Sequence, residues 1–284
     1  MEIRFPSDEL VISGNVELEI GCGNGEFIKF LVGQNPNINY IGVDVSWQSI
    51  KRASKKLMDF GNVVLIWGDV WPFLMFGAKN LKFHRVYSLF PDPWPKKRHI
   101  HKRIFSEDFW KLLTLRVKPD GQVSIVSDHL SALMWFYDNA VKSGCWWGYV
   151  SESYREFGTK YERKWREMGK TIYEAIFFLE NVCDFKIPET ELNIPKLKGI
   201  KPKDLTGDYV LPDGSHFVVK ETFVCDDFML IKGIISEDKL LHKVWFEIRR
   251  VGEYWKVEPS DFSKFYPTRA LQYALNLIAD EISR

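Results

Sequence analysis

The sequence predicts an α/β fold, a mostly parallel sheet with helices on both faces, followed by a small α+β appendage. Three observations carry that expectation. Short apolar runs alternate with segments of helical spacing through residues 1–180. A glycine turn, Gly21-Cys22-Gly23-Asn24-Gly25, joins the first such pair. The acids Asp44, Asp69, Asp92 and Asp128 follow the ends of later apolar runs, where an open α/β sheet presents its ligand crevice.

A chain of 284 residues suggests two domains. With 45% hydrophobic and 27% charged residues it has a globular composition and ample material for a core. A net charge of +1 means that a nucleic-acid partner has to be argued from local clusters of cations. Cys22, Cys145, Cys183 and Cys225 form no CxxC pair and have no His at metal spacing, so they are expected to be buried thiols in a reducing compartment, with no metal site. No run approaches 18 apolar residues, and the first residues are too charged for a signal peptide. A cytoplasmic protein without membrane contact is expected.

Val16-Glu17-Leu18-Glu19-Ile20 alternates as a strand, and helical spacing resumes from Glu26 to Leu31. Glycine in the intervening turn lets backbone approach a ligand. Gly21, Gly23 and Gly25 are spaced GxGxG after Glu19, the pattern of S-adenosylmethionine sites rather than the GxGxxG of dinucleotide sites. Tyr40 to Val43 makes a second strand, and Asp44 at its end is placed to accept from ribose hydroxyls. A helix should run from about Ser46, its N-cap, to Phe60. Val63 to Ile66 forms the third strand, followed by Asp69, in position to accept from an adenine amino group.

Val86 to Phe90 reads as a buried strand that Pro91 and Pro93 terminate, leaving Asp92 in a rigid turn. Beyond Trp94 and Pro95, the eight positions Lys96 to Arg103 hold five Lys/Arg and two His. At the rim of a crevice, such cations can grip phosphates. Pro119-Asp120-Gly121 signals a turn before a strand from Gln122 to Ser127, and a helix is expected from Leu130 to Val141. Trp146 and Trp147 suggest packing. Thr171 to Leu179 would close the sheet, with Thr159 to Arg163 reaching back across the cleft.

Glu19 to Gly25, Phe90 to Arg103 and Gly158-Thr159-Lys160-Tyr161-Glu162-Arg163 together resemble the bacterial tRNA (guanine-N7)-methyltransferase, or TrmB, family, in colinear order over residues 1 to about 180. The resemblance implies a Rossmann-like class I methyltransferase with a seven-stranded sheet, using S-adenosylmethionine to make 7-methylguanosine in the tRNA variable loop. It implies that Glu19, Gly21, Gly23, Gly25, Asp44, Asp69 and Asp92 border the methyl donor, with Asp92 also catalytic. Lys96, Asp128, Thr159, Lys160, Tyr161 and Glu162 would meet the substrate, and Arg98, His99, Ile100, His101, Lys102 and Arg103 the RNA. Guanine N7 bears a lone pair and no proton, so Asp92 is expected to orient and to offset charge rather than to act as a base.

Residues 181–206, with Pro188, Pro195 and Pro202 among lysines, read as a linker in which Lys196, Lys198, Lys201 and Lys203 could touch RNA. Residues 207–284 suggest a hairpin at Tyr209 to Lys220, three further strands and a helix from about Thr268 to Ile282. Monomer and homodimer are both open. The alternatives are methylation of an exocyclic amine on a nucleic acid, and an RNA-binding protein without activity.

Overall fold

The computed structural model describes residues 1–200 and 203–284, so Lys201 and Pro202 of the expected linker lie outside the described residues. The chain divides into two compact units, Met1–Lys186 and Ile187–Arg284.

In the first unit the elements run β1 (Glu2–Arg4), β2 (Val16–Ile20), α1 (Glu26–Gln34), β3 (Asn39–Asp44), α2 (Trp47–Leu57), β4 (Val63–Trp67), a short α3 (Val70–Pro72) continued by a π-helical turn, and β5 (Phe83–Leu89). A 3₁₀ segment Lys97–Lys102 precedes α4 (Glu107–Thr114), β6 (Val117–Ser127), α5 (Leu130–Ser143), β7 (Trp146–Glu152), α6 (Lys160–Glu167) and β8 (Tyr173–Leu179).

The sheet has eight strands in the order β1-β4-β3-β2-β5-β6-β8-β7, one more than expected, because the polar lead-in Glu2–Arg4 pairs parallel with β4. β8 is antiparallel to both neighbours and lies between β6 and β7, so β7 rather than β8 is the edge. From β2 the chain builds outward through β3 and β4, then returns to lay β5 on the other side of β2. The switch point therefore lies between the carboxyl ends of β2 and β5, where such sheets bind ligands.

Helices cover both faces. Ile50, Ala53 and Leu57 of α2 cluster with Phe27 and Ile28 of α1 against Val63, Leu65, Tyr87 and Val126. Phe177 of β8 packs 4.5 Å from Trp110 of α4 and pairs in register with Val123, three residues from Val126 and hence on the opposite face. Local chemistry sets the helix starts: the Ser46, Ser106 and Thr159 hydroxyls each accept a backbone N–H in the first turn of α2, α4 and α6, each such cap contributing about 1 kcal/mol.

Several expectations are corrected. Pro119-Asp120-Gly121 does not precede a strand but lies within β6, as an irregularity between Val117 and Gln122 in the pairing with β5. Cys145 and Cys183 form a disulfide. Antiparallel pairing of Trp146 with Leu179 brings the residues flanking β7 and β8 together, a proximity that sequence spacing does not reveal. Of the remaining cysteines, Cys22 is buried but Cys225 is exposed. Trp146 is buried, whereas Trp147 lies stacked on Phe178 and 53% exposed.

The second unit comprises β9 (Lys196–Leu197), β10 (Gly207–Val210), β11 (His216–Cys225), β12 (Phe228–Glu237), β13 (Leu240–Val251), β14 (Tyr254–Pro259) and α7 (Arg269–Ser283). Its six-stranded antiparallel sheet, ordered β10-β11-β12-β13-β14-β9, packs Phe217, Ile231 and Phe246 with Leu271, Leu275 and Ile278 of α7. Much of the expected linker belongs to this unit: β9 pairs with β14, and Leu192, Ile194 and Ile200 pack on its core. The prolines and lysines there masked those apolar residues. No helix among the described residues is long and apolar enough to cross a membrane.

Candidate functional site

Two turns flank the switch point, one after β2 and one after β5. After β2, Gly21, Gly23 and Gly25 all adopt left-handed φ of 76°, 52° and 73°, a conformation glycine enters without penalty. The Gly21 and Cys22 N–H groups donate to Val43 O, fastening the turn to β3. A Cβ on Gly21 or Gly23 would meet nothing within 4 Å, so the turn has open space beside it. At Gly25 a Cβ would come 2.7 Å from Leu57 Cδ1, so this glycine serves the contact of α1 with α2.

Asp44, at the end of β3, accepts from the Gly23 N–H through Oδ2 (2.9 Å) and from the Ser46 N–H through Oδ1 (2.8 Å). It thereby holds the glycine turn and the start of α2 in one arrangement, with a lone pair left on each oxygen. Glu19 is buried, and its Oε2 has no hydrogen-bond partner. Burial, reinforced by the Asp44 carboxylate, pushes the Glu19 carboxyl well above its usual range. A buried, unpartnered oxygen is costly and points to a ligand donor. Asp69 lies beyond β4, is open to solvent, and accepts the Trp71 N–H at 2.9 Å as the cap of α3.

After β5, Phe90 and Trp94 adopt φ of 53° and 40°, left-handed values that cost a non-glycine residue energy and are sustained by surrounding contacts. The Phe90 N–H donates to Val126 O at 2.7 Å. Arg103 donates from Nε to Pro93 O (2.9 Å) and from a terminal nitrogen to Trp94 O (3.4 Å), while its guanidinium lies 5.2 Å from the Trp135 ring. Lys102 sits 4.7 Å from the Trp94 ring, and the His99 ring is 5.8 Å from it. Asp92 is exposed between these clamps and makes no hydrogen bond or ion pair among the described residues. Lys96, Lys97, Arg98, His101 and Lys102 are exposed; His99 and Ile100 are half-buried.

The segment before α6 does reach back. The Lys160 N–H donates to Glu26 Oε2 at 2.6 Å, Phe157 packs 6.0 Å from Phe27, and the Tyr161 ring lies 6.4 Å from Phe90. Burial alone would raise Glu26, but the Lys160 N–H and the Lys56 ammonium outweigh it and hold the carboxyl below its usual range. Thr159 is buried as the cap of α6. Glu162 is buried too, accepting from Phe157 N–H (2.8 Å) and Arg166 Nε (3.1 Å). Asp128 pairs with Lys170 at 2.6 Å. Lys160 and Tyr161 remain exposed.

The methyltransferase family model Methyltransf_4 matches residues 13–175, spanning both turns and α6. The tRNA (guanine-N(7)-)-methyltransferase of Aquifex aeolicus is 28% identical over 95% of this chain and 94% of its own. The protein of the same name from Thermotoga maritima is 30% identical over 99% of this chain and 94% of its own. The chain belongs to the bacterial tRNA (guanine-N7)-methyltransferase family. Among solved structures, an antibiotic-related methyltransferase aligns over 58% of this chain and 88% of its own, at 20% identity and a TM-score of 0.46.

Within this family member, the residues expected at the site divide by what the fold asks of them. Glu19, Gly21, Gly23 and Asp44 lie together at the carboxyl ends of β2 and β3, and Asp92 sits on the turn after the neighbouring strand β5. Thr159, Glu162 and Arg103 are engaged in holding the loops around the switch point. Three residues that hold the surrounding elements carried no expectation: Glu26, which anchors α6; Lys170, the partner of Asp128; and Glu174, buried and accepting from Ser124 Oγ (2.6 Å), Ser153 Oγ (3.1 Å) and Arg155 (2.8 Å). An acid inside the apolar run Tyr173–Leu179 was the available signal for Glu174.

Arg103 makes a separable expectation. Arg103→Ala frees the Pro93 and Trp94 carbonyls and lets the Asp92 turn drift. Turnover should fall about a hundredfold, the order that a small misplacement costs. The salt dependence of tRNA binding should stay unchanged, whereas Lys97→Ala should lower it. Single-turnover methylation alongside filter binding at several salt concentrations checks both.

Proposed function

We propose that this protein transfers a methyl group from S-adenosylmethionine to N7 of a guanine in tRNA, in the variable loop. The observation that carries the reading is the juxtaposition of an unpartnered, buried Glu19 oxygen with an open glycine turn on one side of the switch point and the clamped Asp92 turn on the other. The near full-length match to relatives bearing this activity in their names supports it.

The residues fit the donor. Glu19 and Asp44 offer carboxylate oxygens to its ammonium, sulfonium and hydroxyl groups, and Gly21 and Gly23 leave room for its body. Bound there, S-adenosylmethionine supplies an electrophilic methyl group. The chain's part is placement and charge. N7 attacks with its own lone pair, so no residue has to remove a proton first. Asp92 is placed to accept from the guanine N–H groups, which fixes the ring and offsets the positive charge the purine acquires. The rigid turn holds that carboxylate still, so alignment of the reacting atoms is settled before reaction. Exposed cations from Lys96 to Lys102 hold the RNA backbone at the rim.

Labelled methyl transfer to unmodified tRNA, followed by nucleoside analysis, tests the donor, substrate and atom together. The expected product is 7-methylguanosine, which yields strand scission after borohydride and aniline. Methylation without scission would shift the reading to an exocyclic amine, and absence of transfer would leave an RNA-binding protein.

A further inference from the structure

Beginning one residue past the glycine turn, α1, the end of α2 and the start of α6 line an open, shallow cleft of 460 Å³. It is lined by Glu26, Lys29, Phe30, Lys56, Gly158 and Arg163. Three cations thus face one carboxylate. That carboxylate is already engaged, by the Lys160 N–H at 2.6 Å, Lys56 at 3.4 Å and Arg163 at 3.8 Å. Lys29 is exposed and has no ion pair among the described residues. Phe30 forms an apolar wall, and Gly158, at φ 67°, lies close enough that a Cβ would come 3.2 Å from the Phe30 ring. The loop is thereby pressed against α1, and the cations are held around an open space.

The α6 wall of the cleft adjoins the proposed RNA surface. Lys160 and Tyr161 begin α6, and Tyr161 contacts Phe90 at the entry to the Asp92 turn. Exposed cations therefore run from Lys96 to Lys102, past Lys160, to Arg163 and Lys29. The methyl donor needs none of them, since its carboxylates and glycine turn lie at the switch point.

We infer that the cleft between α1, α2 and α6 seats a backbone phosphate of the tRNA outside the target nucleotide, with Lys29, Lys56 and Arg163 as its cationic wall. This rests on the tRNA methyltransferase reading and extends its RNA footprint from the start of α6 onto Lys29 of α1 and Lys56 of α2, which no sequence motif marked. A phosphate seat contributes affinity and register but no base preference.

The test uses the full chain and Lys29→Ala, Lys29→Glu and Lys29→Arg, because Lys29 can be changed without breaking a contact in the fold. Binding of unmodified tRNA is measured across a salt series, with S-adenosylmethionine affinity by calorimetry and the melting temperature as controls. Lys29→Ala should weaken tRNA binding and lower the slope of log K against log salt by about 0.7 to 0.9. Lys29→Glu should weaken binding further, and Lys29→Arg should restore both quantities, with the controls unmoved in all three variants. Unchanged affinity and slope in Lys29→Ala and Lys29→Glu overturn the proposal, as does weaker binding with an unchanged slope. Wild-type protein without affinity for tRNA would remove the functional reading as well, whereas wild-type binding with indifferent Lys29 variants removes this proposal alone.

Discussion

Asp92→Ala should lower turnover on tRNA by about 10²- to 10³-fold, the usual cost of removing one preorganised electrostatic partner of a transition state. Donor binding should survive, because the Glu19, Asp44 and glycine-turn contacts do not involve this side chain. Asp92 is exposed and bonded to nothing else in the fold, so its loss should leave the melting temperature nearly unchanged. Asp92→Asn separates the contributions: it keeps an acceptor oxygen but removes the charge, and should fall between wild type and Ala. Single-turnover rates with saturating tRNA give the ordering. Near-normal turnover in Asp92→Asn, with donor affinity unchanged, would show that its charge does not matter.

Glu19→Gln should weaken S-adenosylmethionine binding by about ten- to a hundredfold, the equivalent of a charge-assisted hydrogen bond worth about 1.5–3 kcal/mol. A pH signature accompanies it. Burial, with Asp44 adding to it, raises the folded-state Glu19 carboxyl well above 4.5, so between the two values the folded protein keeps a proton that the unfolded chain has released. The stability this confers is fully present below about pH 4.5 and is lost as pH rises through the raised value. Glu19→Gln should flatten that decline and melt higher than wild type at neutral pH in the absence of donor. A cationic donor favours the ionised carboxylate, so binding to wild type should release a proton and tighten as pH rises. Calorimetry in buffers of different ionisation enthalpy detects that proton, and its absence in wild type would mean that Glu19 does not meet the donor's positive charge.

The glycine turn, the acids at strand ends and the cap residues were legible because each depends on a few neighbouring residues. Burial was less so. Val16-Glu17-Leu18-Glu19-Ile20 alternates as if one face met water, yet all five residues are buried, because β2 is central in a largely parallel sheet. Glu17 is satisfied there by the Tyr87 hydroxyl at 3.2 Å, and the contrast with unpartnered Glu19 emerges only in three dimensions. Arg103 could not be separated from the cations before it, since its carbonyl partners lie nine and ten residues back on a folded turn. Glu162 and Thr159 sit in a stretch whose resemblance implied substrate contact, while their own hydrogen bonds serve the loop. Strand β1 was missed because three polar-flanked residues carry no periodicity, and the disulfide because it depends on which strands become neighbours.

The insertion of β8 between β6 and β7 also imposes an order on biosynthesis. A nascent chain that has delivered β7 has no strand to lay it against, since the flanks of both β6 and β7 are taken by Tyr173–Leu179. Until those seven residues clear the exit tunnel, β6 and β7 each keep an unpaired side that only β8 fills. From the completion of β7 until Tyr173–Leu179 have left the tunnel, β6 and β7 are therefore open to wrong partners, and the Thr159–Glu162 loop is made within that interval. The last strand of this sheet to emerge slots in one place from its edge, between two strands already made.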